Sequence, residues 1–230
     1  PVPHMTPDLS AFGAVQLQRP LHGGHRNAVW LVETPNGPAV AKSTRHGPEG
    51  LHWLAPLQQA ARAAGFVVPD FHRTGAGQIL SNGWTLEDWF PGPAFTPTDM
   101  PAMRPRVLAF HAKAPALPQR PGAVALPQAS LADLPPDIAT LCRAALRPFA
   151  DQPAQPIHGD ITPSNLIHTA HGPALIDWDE ARCDLAFLDL VQLGTANPTE
   201  LRAHLAAEII SGWHIEPLYA KACASRLADL

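Results

Sequence analysis

The stretch IHGDITPSNLI, residues 157–167, decides the fold of this chain together with ALIDWD, residues 174–179. Each run joins a short apolar strand pattern to polar residues at one end. The polar connection between them, residues 169–172, predicts an antiparallel hairpin of residues 165–168 with residues 173–177. Counting outward from that turn sets Asn165 almost opposite Ile176 and brings Asp177 alongside.

The hairpin predicts half of a magnesium site. Neighbouring positions across a strand pair lie roughly 5 to 8 Å apart, a distance that one hard cation with oxygen ligands can bridge. We therefore expect Asn165 and Asp177 to be ligands of Mg²⁺. Asp160 lies five residues before Asn165 in a loop interrupted by Pro163. From there it can accept a proton from a hydroxyl that attacks a metal-bound phosphate, so we expect it to be the catalytic base.

The pattern HGDxxxxN followed by IDW resembles the aminoglycoside phosphotransferase and choline kinase group of kinase-like enzymes. The resemblance implies that Asp160 matches the catalytic-loop aspartate of protein kinases and Asp177 their metal-binding aspartate. It also implies a fold: an α+β, bilobal, protein-kinase-like structure with a small antiparallel-sheet N-lobe that carries one main helix. The C-lobe is expected to be mainly helical and shortened, because the chain ends about twenty residues after Trp213.

The resemblance extends to the segments that hold the nucleotide in this group. Residues 21–32 look like the nucleotide-covering loop, written here with Gly23, Gly24 and Asn27. Residues 87–92, EDWFPG, resemble the hinge, where backbone groups near Asp88 and Phe90 are expected to hold the adenine. The glycine pair alone also fits an ordinary hairpin turn.

A lysine and three further acids complete the resemblance. Lys42, in the run Val-Ala-Lys, looks like the phosphate-binding strand lysine, and Glu49 looks like the helix glutamate that pairs with it. Asp184 and Asp189 look like the two acidic positions that follow the IDW motif, and are expected to organise the catalytic loop. Here Arg-Cys-Asp, ending at Asp184, replaces the usual Gly-Asp-Pro segment.

The remaining pattern places these residues on two predicted lobes, residues 1–90 and 91–230, joined at the Pro91-Gly92 break. Strands are predicted at residues 15–17, 28–33, 38–43, 67–69, 78–80 and 84–90. Helices are predicted at residues 49–64, 104–113, 137–150 and 200–213. The first lobe is thus the nucleotide-binding unit, and the second carries the catalytic loop and the metal site.

Composition excludes several classes of function. The 230 residues are 46% hydrophobic and 16% charged, with a net charge of −4 and no basic run that suits nucleic acid or an anionic membrane. Three cysteines without CxxC spacing indicate a reducing, cytoplasmic compartment and no structural zinc site. No segment reaches the roughly 18 apolar residues of a membrane span.

The predicted function is that of an ATP- and Mg²⁺-dependent phosphotransferase, a small-molecule kinase that moves the γ-phosphoryl group to a hydroxyl of an aminoglycoside, an amino-alcohol or a similar metabolite. One alternative stays open: a catalytically weak nucleotide-binding immunity or regulatory protein could use the same fold. A metal-dependent phosphoesterase that uses His158 with Asp160 would need further histidine-rich and Asn-His-Asp motifs, which the sequence lacks. The acceptor, ATP versus GTP preference and oligomeric state do not follow from the sequence. Asp179, Asp184 and Asp189 are each as compatible with structural roles as with chemistry.

Overall fold

The computed structural model describes residues 6–21, 27–126 and 129–230. Within those ranges the strands are β1 Gln16–Pro20, β2 Val29–Thr34, β3 Gly37–Ser43, β4 Trp84–Asp88, β5 Gln155–Ile157, β6 Leu166–Thr169, β7 Gly172–Leu175 and β8 Arg182–Asp184. The α-helices are α1 Pro48–His52, α2 Leu54–Ala63, α3 Arg104–Lys113, α4 Pro136–Leu146, α5 Phe187–Leu190, α6 Pro198–Gly212 and α7 Pro217–Asp229. An N-terminal sheet followed by a mainly helical remainder agrees with the predicted α+β class.

The N-terminal sheet has four antiparallel strands in the order β1-β2-β3-β4. Successive side chains of a strand point to opposite faces, so Ala39 and Ala41 of β3 are buried in the core on one face while Lys42 projects from the other. Lys42 is paired with Val29 on one side and with Thr85 on the other. The central position of β3 therefore fixes the point from which the Lys42 side chain extends.

The predicted helix at residues 49–64 is divided into α1 and α2 at Trp53. Pro56 lies inside this run and has no backbone N–H to donate to the carbonyl four residues earlier, which accounts for the break. Helix α2 buries Leu54, Leu57 and Ala61 at helical spacing. These residues share one hydrophobic core with Val107, Phe110, Leu166, Leu175 and Trp178 from the second predicted lobe. The boundary between residues 90 and 91 stays a prediction.

Two predicted strands of the N-terminal sheet were wrong. Val67 pairs with the β6–β7 hairpin, since its N–H donates to Pro173 O at 2.9 Å and its carbonyl accepts from Leu175 N at 2.8 Å. Its neighbour Pro69 lacks the N–H that an interior sheet strand requires. Residues 78–80 form no strand because Thr74 and Gln78 close a tight turn instead.

The hairpin of β6 and β7 has the predicted register: Leu166 pairs with Leu175, and Ile176 N donates to Asn165 O at 3.0 Å. It leads directly into the short turn Trp178–Glu180 and then into β8, which pairs with β5. Residues 157–167 and 174–179 thus lie side by side at one end of the two-stranded β5–β8 sheet.

The C-terminal part is helical, with α6 packed against α4 and α7. Helix α6 begins with a capping box in which Asn197 and Glu200 bond each other's backbone N–H groups. Leu205, Ile209, Cys142 and Leu227 are buried in a second core between these helices. Among the residues the structure describes, no helix is long and apolar enough to cross a membrane.

Candidate active site

A cleft of about 850 Å³ is lined by residues from both predicted lobes. Lys42, Asp160, Asn165 and Asp177, which the sequence places in three separate segments, all line it. The structure therefore brings together the predicted base, the two predicted metal ligands and the predicted phosphate-binding lysine.

The loop that carries Asp160 is held from below by the buried carboxylate of Asp189. His158 N donates to its Oδ2 at 2.9 Å and Gly159 N to its Oδ1 at 2.7 Å. Gly159 has a φ of +86°, and a Cβ at this position would lie 2.4 Å from Glu180 O, so only glycine fits. The expectation that Asp189 organises the catalytic loop agrees with these contacts.

His158 orients the loop as a neutral ring. Its Nδ1 faces the N–H of Asp160 at 3.3 Å and its Nε2 lies 3.1 Å from Ile176 O, so Nδ1 accepts and Nε2–H donates. Burial lowers the pKa of His158, which favours the same uncharged state. Because neither nitrogen is free to act on a substrate, His158 is a structural histidine in this arrangement.

Asp160, the predicted base, is held by Asn165. Asn165 Nδ2 donates to Asp160 Oδ2 at 2.8 Å and to Asp160 O at 3.0 Å. Burial, reinforced by the negative charge of Asp177, raises the pKa of Asp160 to about 6, against the lowering effect of the Asn165 bond. A carboxylate with this pKa is ionised at neutral pH and is a stronger base than an ordinary aspartate.

Asp177 faces Lys42 across the cleft. Lys42 Nζ lies 2.5 Å from Asp177 Oδ1 and 3.2 Å from Asp179 Oδ1. Burial acts to lower the pKa of Lys42, but the charges of Asp179 and Asp177 outweigh it and raise the pKa overall. Burial likewise acts to raise the pKa of Asp177, yet Lys42 holds it below the usual value. Lys42 is therefore charged throughout the physiological pH range.

The Asp177 backbone is in a left-handed conformation, with φ 62° and ψ 69°. A residue with a Cβ adopts this conformation at a cost, and it persists where surrounding contacts determine it. Here the conformation turns the chain sharply out of β7 and leaves the Asp177 side chain 38% exposed in the cleft. The strained backbone directs the carboxylate toward the space where a ligand would bind.

The donor set fits a magnesium ion. Asn165 uses Nδ2 toward Asp160 and keeps its side-chain oxygen as an acceptor, while Asp177 has a second carboxylate oxygen beyond the one that meets Lys42. Mg²⁺ is usually held by one or two carboxylates together with substrate phosphates and water. In the described part of the chain no group of three or more His, Cys, Asp or Glu residues could hold a metal alone. A site of two protein ligands completed by phosphate is consistent with that finding.

The predicted pair of Lys42 with Glu49 is absent from the structure. Glu49 is exposed in the first turn of α1, where its negative charge interacts favourably with the helix dipole. The Lys42 ammonium forms ion pairs with Asp177 and Asp179. A different acid, Glu87 on β4, interacts with Lys42 through its charge. Burial raises the pKa of Glu87, partly offset by Lys42. The correction follows from the orientation of α1, which its sequence pattern does not encode.

Of the other residues predicted to bind the nucleotide, some line the cleft and others do not. Asn27 lines the cleft and its Nδ2 donates to Asp179 Oδ2, whereas Gly23 and Gly24 lie outside the described residues. Asp88 ends β4 with its carboxylate bonded away from the cleft, to Asp70 N at 3.0 Å and His72 Nε2 at 2.9 Å. Phe90 follows β4 and, like Asp88, is not part of the cleft lining. The hinge role of these two positions, which concerns their backbone groups, stays a prediction.

Three further residues shape the site: Asp179, whose role the sequence left open between structure and chemistry, and Glu87 and Arg120, which were not predicted as site residues. Asp179 pairs with Lys42 and Asn27, Glu87 faces Lys42 from the sheet, and Arg120 bonds the loop that follows Asp177. Asp179 and Glu87 lie within or beside recognised motifs, so their positions were a usable signal. Arg120 lies in a proline-rich segment without periodicity, and nothing in its sequence neighbourhood indicates its role. Asp184 is buried and bonds Leu126 N, Leu185 N and Arg182 rather than the catalytic loop.

A four-stranded antiparallel sheet that carries Lys42, set across a cleft from Asp160 and the β6–β7 hairpin, is the architecture of a kinase-like fold. The family comparison agrees, because residues 18–224 match the model described as the Phosphotransferase enzyme family. The chain belongs to that family. No curated protein sequence matches it.

Solved structures share this fold at low sequence identity. A ternary complex of a thermostable mutant of aminoglycoside phosphotransferase APH(4)-Ia with ADP and hygromycin B is 13% identical, with a TM-score of 0.66, covering 95% of this chain and 94% of that chain. A putative fructosamine-3-kinase from Thermobifida fusca YX-ER1 is 22% identical, with a TM-score of 0.55 and coverages of 94% and 91%. A choline/ethanolamine kinase family protein from Mesorhizobium loti is 16% identical, with a TM-score of 0.54 and coverages of 96% and 89%. The kinase-like α+β fold predicted from the motifs is confirmed.

Proposed function

We propose that this protein transfers the γ-phosphoryl group of ATP to a hydroxyl group of a small molecule. The observation that carries the proposal is the convergence of Lys42, Asp160, Asn165 and Asp177 on one cleft. The nucleotide in the APH(4)-Ia complex lends support to ATP as the donor. In the reaction the acceptor oxygen bonds to the γ-phosphorus, the bond from that phosphorus to the bridging oxygen of ADP breaks, and the hydroxyl proton is lost.

Each residue has a role that its surroundings support. Asp160 orients the acceptor hydroxyl and takes its proton, and Lys42 neutralises phosphate oxygens. Asn165 and Asp177 would hold Mg²⁺, which shields the charge of the phosphates when it is bound. Because phosphoryl transfer needs little covalent chemistry from the protein, positioning and electrostatics supply most of the acceleration.

The acidic residues of the cleft support an acceptor that carries positive charge. Glu208 of α6 and Glu216, just before α7, line the cleft together with Glu180 and Asp160. The lysine and arginine side chains of the lining are themselves paired: Lys42 with Asp177 and Asp179, Arg45 with Glu180, and Arg182 with Asp184. A positively charged amino group near the reacting hydroxyl would therefore find complementary charge at Glu208 and Glu216. Amino-alcohols and aminoglycosides combine these two groups.

The test is ADP release coupled to an optical readout, with Mg·ATP and a panel of amino-alcohols, aminoglycosides and neutral sugars. Nucleotide binding is followed in parallel by thermal shift. Turnover that depends on an acceptor and is lost in Asp160→Asn is the expected result. Nucleotide binding without turnover on any acceptor would favour a binding or regulatory protein, and absence of Mg·ATP binding would overturn the proposal.

A further inference from the structure

A buried arginine joins the metal-site loop to the first helix. Arg120 is 1% exposed, and its Nε donates to Gly50 O in α1 at 2.9 Å. Its Nη1 lies 3.0 Å from Trp178 O, 2.9 Å from Asp179 O and 3.1 Å from Ala181 O. One guanidinium group thus connects α1 to three carbonyl acceptors in the loop that begins with the strained Asp177.

The residues just before Arg120 are themselves bonded to the α1–α2 junction and to β8. Trp53, at the junction of α1 and α2, donates from Nε1 to Pro118 O at 2.8 Å. Gln119 makes two bonds to the backbone of Cys183 in β8, one to its N–H and one to its carbonyl, both at 2.9 Å. The segment before Arg120 is therefore held by contacts that lie outside residues 177–181.

Burying a cation among carbonyl oxygens costs desolvation free energy. Burial lowers the pKa of Arg120 to about 10, although the charges of Asp179 and Glu180 act in the opposite direction. Its Nη2 has no hydrogen-bond partner among the described residues. An apolar side chain of similar size would avoid this desolvation, but it could not restrain the carbonyls. A planar guanidinium holds several acceptors in one fixed arrangement, which a point-like ammonium cannot do.

We propose that Arg120 is a positioning residue that fixes the loop of residues 177–181 against α1, and so holds Asp177 and Asp179 where they meet Lys42. It supplies a connection between α1 and the loop in a site where Glu49 makes no pair with Lys42. The catalytic consequence of this connection rests on the proposed phosphotransferase function. The restraint on the loop is a property of the free protein and can be tested without any ligand.

The first experiment is amide hydrogen exchange on the ligand-free protein and on Arg120→Lys and Arg120→Gln. We expect exchange at residues 176–182 to accelerate at least about tenfold in both variants, while the amides of α6 and α7 exchange at the wild-type rate. Arg106 offers a matched control, since its Nη1 also donates to a backbone carbonyl, Gly65 O at 2.6 Å, but at the surface and away from the loop. Arg106→Gln should leave exchange at residues 176–182 unchanged.

The second experiment measures kcat and KM with the acceptor found in the coupled assay. Arg120→Lys should lower kcat at least about tenfold and change the acceptor KM less than about threefold, because the loop positions the phosphate site rather than the acceptor. The proposal would be overturned if residues 176–182 of both Arg120 variants exchange at the wild-type rate, or if exchange accelerates evenly over the whole protein. Local acceleration in a protein that never turns over ATP would support the loop restraint and count against the proposed function alone. Unchanged exchange at residues 176–182 in variants of an active kinase would overturn the loop restraint and leave the proposed function standing.

Discussion

Asn165 Nδ2 donates to Asp160 Oδ2 at 2.8 Å, so the residue predicted as a metal ligand also orients the residue predicted as the base. The contact leaves the side-chain oxygen of Asn165 available to a cation and the Oδ1 of Asp160 available to a hydroxyl. Both groups belong to one loop, and Asp189 holds that loop through two backbone amides. In the proposed mechanism this geometry couples proton removal to phosphate positioning within a few residues of chain.

Asp160→Asn should abolish most turnover while nucleotide binding is retained. An amide of the same shape keeps a bond with Asn165 but cannot accept the hydroxyl proton, and loss of a general base costs roughly 100- to 10,000-fold in kcat. The measurement is kcat from ADP release beside the nucleotide-induced thermal shift. Asp70→Asn, at an exposed carboxylate paired with Arg62, is the control and should keep wild-type kcat. Equal kcat in the two variants would remove Asp160 from the mechanism.

The same substitution should stabilise the protein at pH 7.5, and this effect needs no acceptor. The pKa of Asp160 is raised from 3.8 to about 6 by burial, so its ionised form is disfavoured in the folded state. Removing that charge should increase the free energy of unfolding by about 1–2 kcal/mol. As the pH falls through 6 the folded-state carboxylate binds a proton and the difference should shrink, disappearing only below the unfolded pKa of 3.8. Urea unfolding of both proteins at pH 7.5 and pH 4.5 measures it.

Lys42→Met should weaken both nucleotide binding and folding. Without the ammonium, Asp177 and Asp179 lose their shared counter-charge, and Glu87 loses the charge that offsets its burial. We expect a loss of about 2 kcal/mol at pH 8, smaller than for a fully buried pair because the Asp177 side chain is 38% exposed. In the variant the pKa values of these carboxylates should rise, so protonation restores stability as the pH is lowered. A loss that is the same at pH 8 and pH 5 in urea titrations would contradict this account.

Glu49→Gln and Glu87→Gln separate the two acids that the sequence and the structure assign to Lys42. Glu49 is exposed and away from the lysine, so its substitution should change the KM for nucleotide less than about twofold. Glu87 interacts with Lys42 through its charge and accepts a bond from Thr85 Oγ1 at 2.9 Å, so Glu87→Gln should change that KM several times more. Steady-state kinetics at varied ATP compares them directly. A larger change in the nucleotide KM for Glu49→Gln than for Glu87→Gln would support the predicted pair of Lys42 with Glu49.

The sequence predicted what is local and missed what depends on distant contacts. The β6–β7 hairpin and the Asp160-to-Asn165 loop could be predicted because turn length and strand register fix neighbouring residues. The Lys42–Asp177 pair joins positions 135 residues apart and was not predicted, since the family resemblance paired Lys42 with Glu49 instead. The role of Arg120 could not be predicted, because its acceptors are backbone carbonyls 58 to 70 residues away, which leave no side-chain pattern.

Asp189→Asn tests whether the catalytic loop depends on the carboxylate that holds it. Asp189 is fully buried and accepts from His158 N, Gly159 N and His111 Nε2, so either orientation of an amide turns its NH₂ group toward a donor. We expect a loss of about 2–4 kcal/mol in stability and a fall in kcat, since Asp160 follows directly in the loop.

Asp184→Asn is the matched control for this variant. Asp184 is equally buried and also accepts three hydrogen bonds, from Leu126 N, Leu185 N and Arg182 Nε, but none comes from residues 158–165. Both variants should therefore lose similar stability in urea titrations. At a temperature where both remain folded, the fall in kcat should be at least about tenfold larger for Asp189→Asn, because only that substitution displaces the base. Equal losses of kcat would mean that Asp189 stabilises the fold without positioning Asp160.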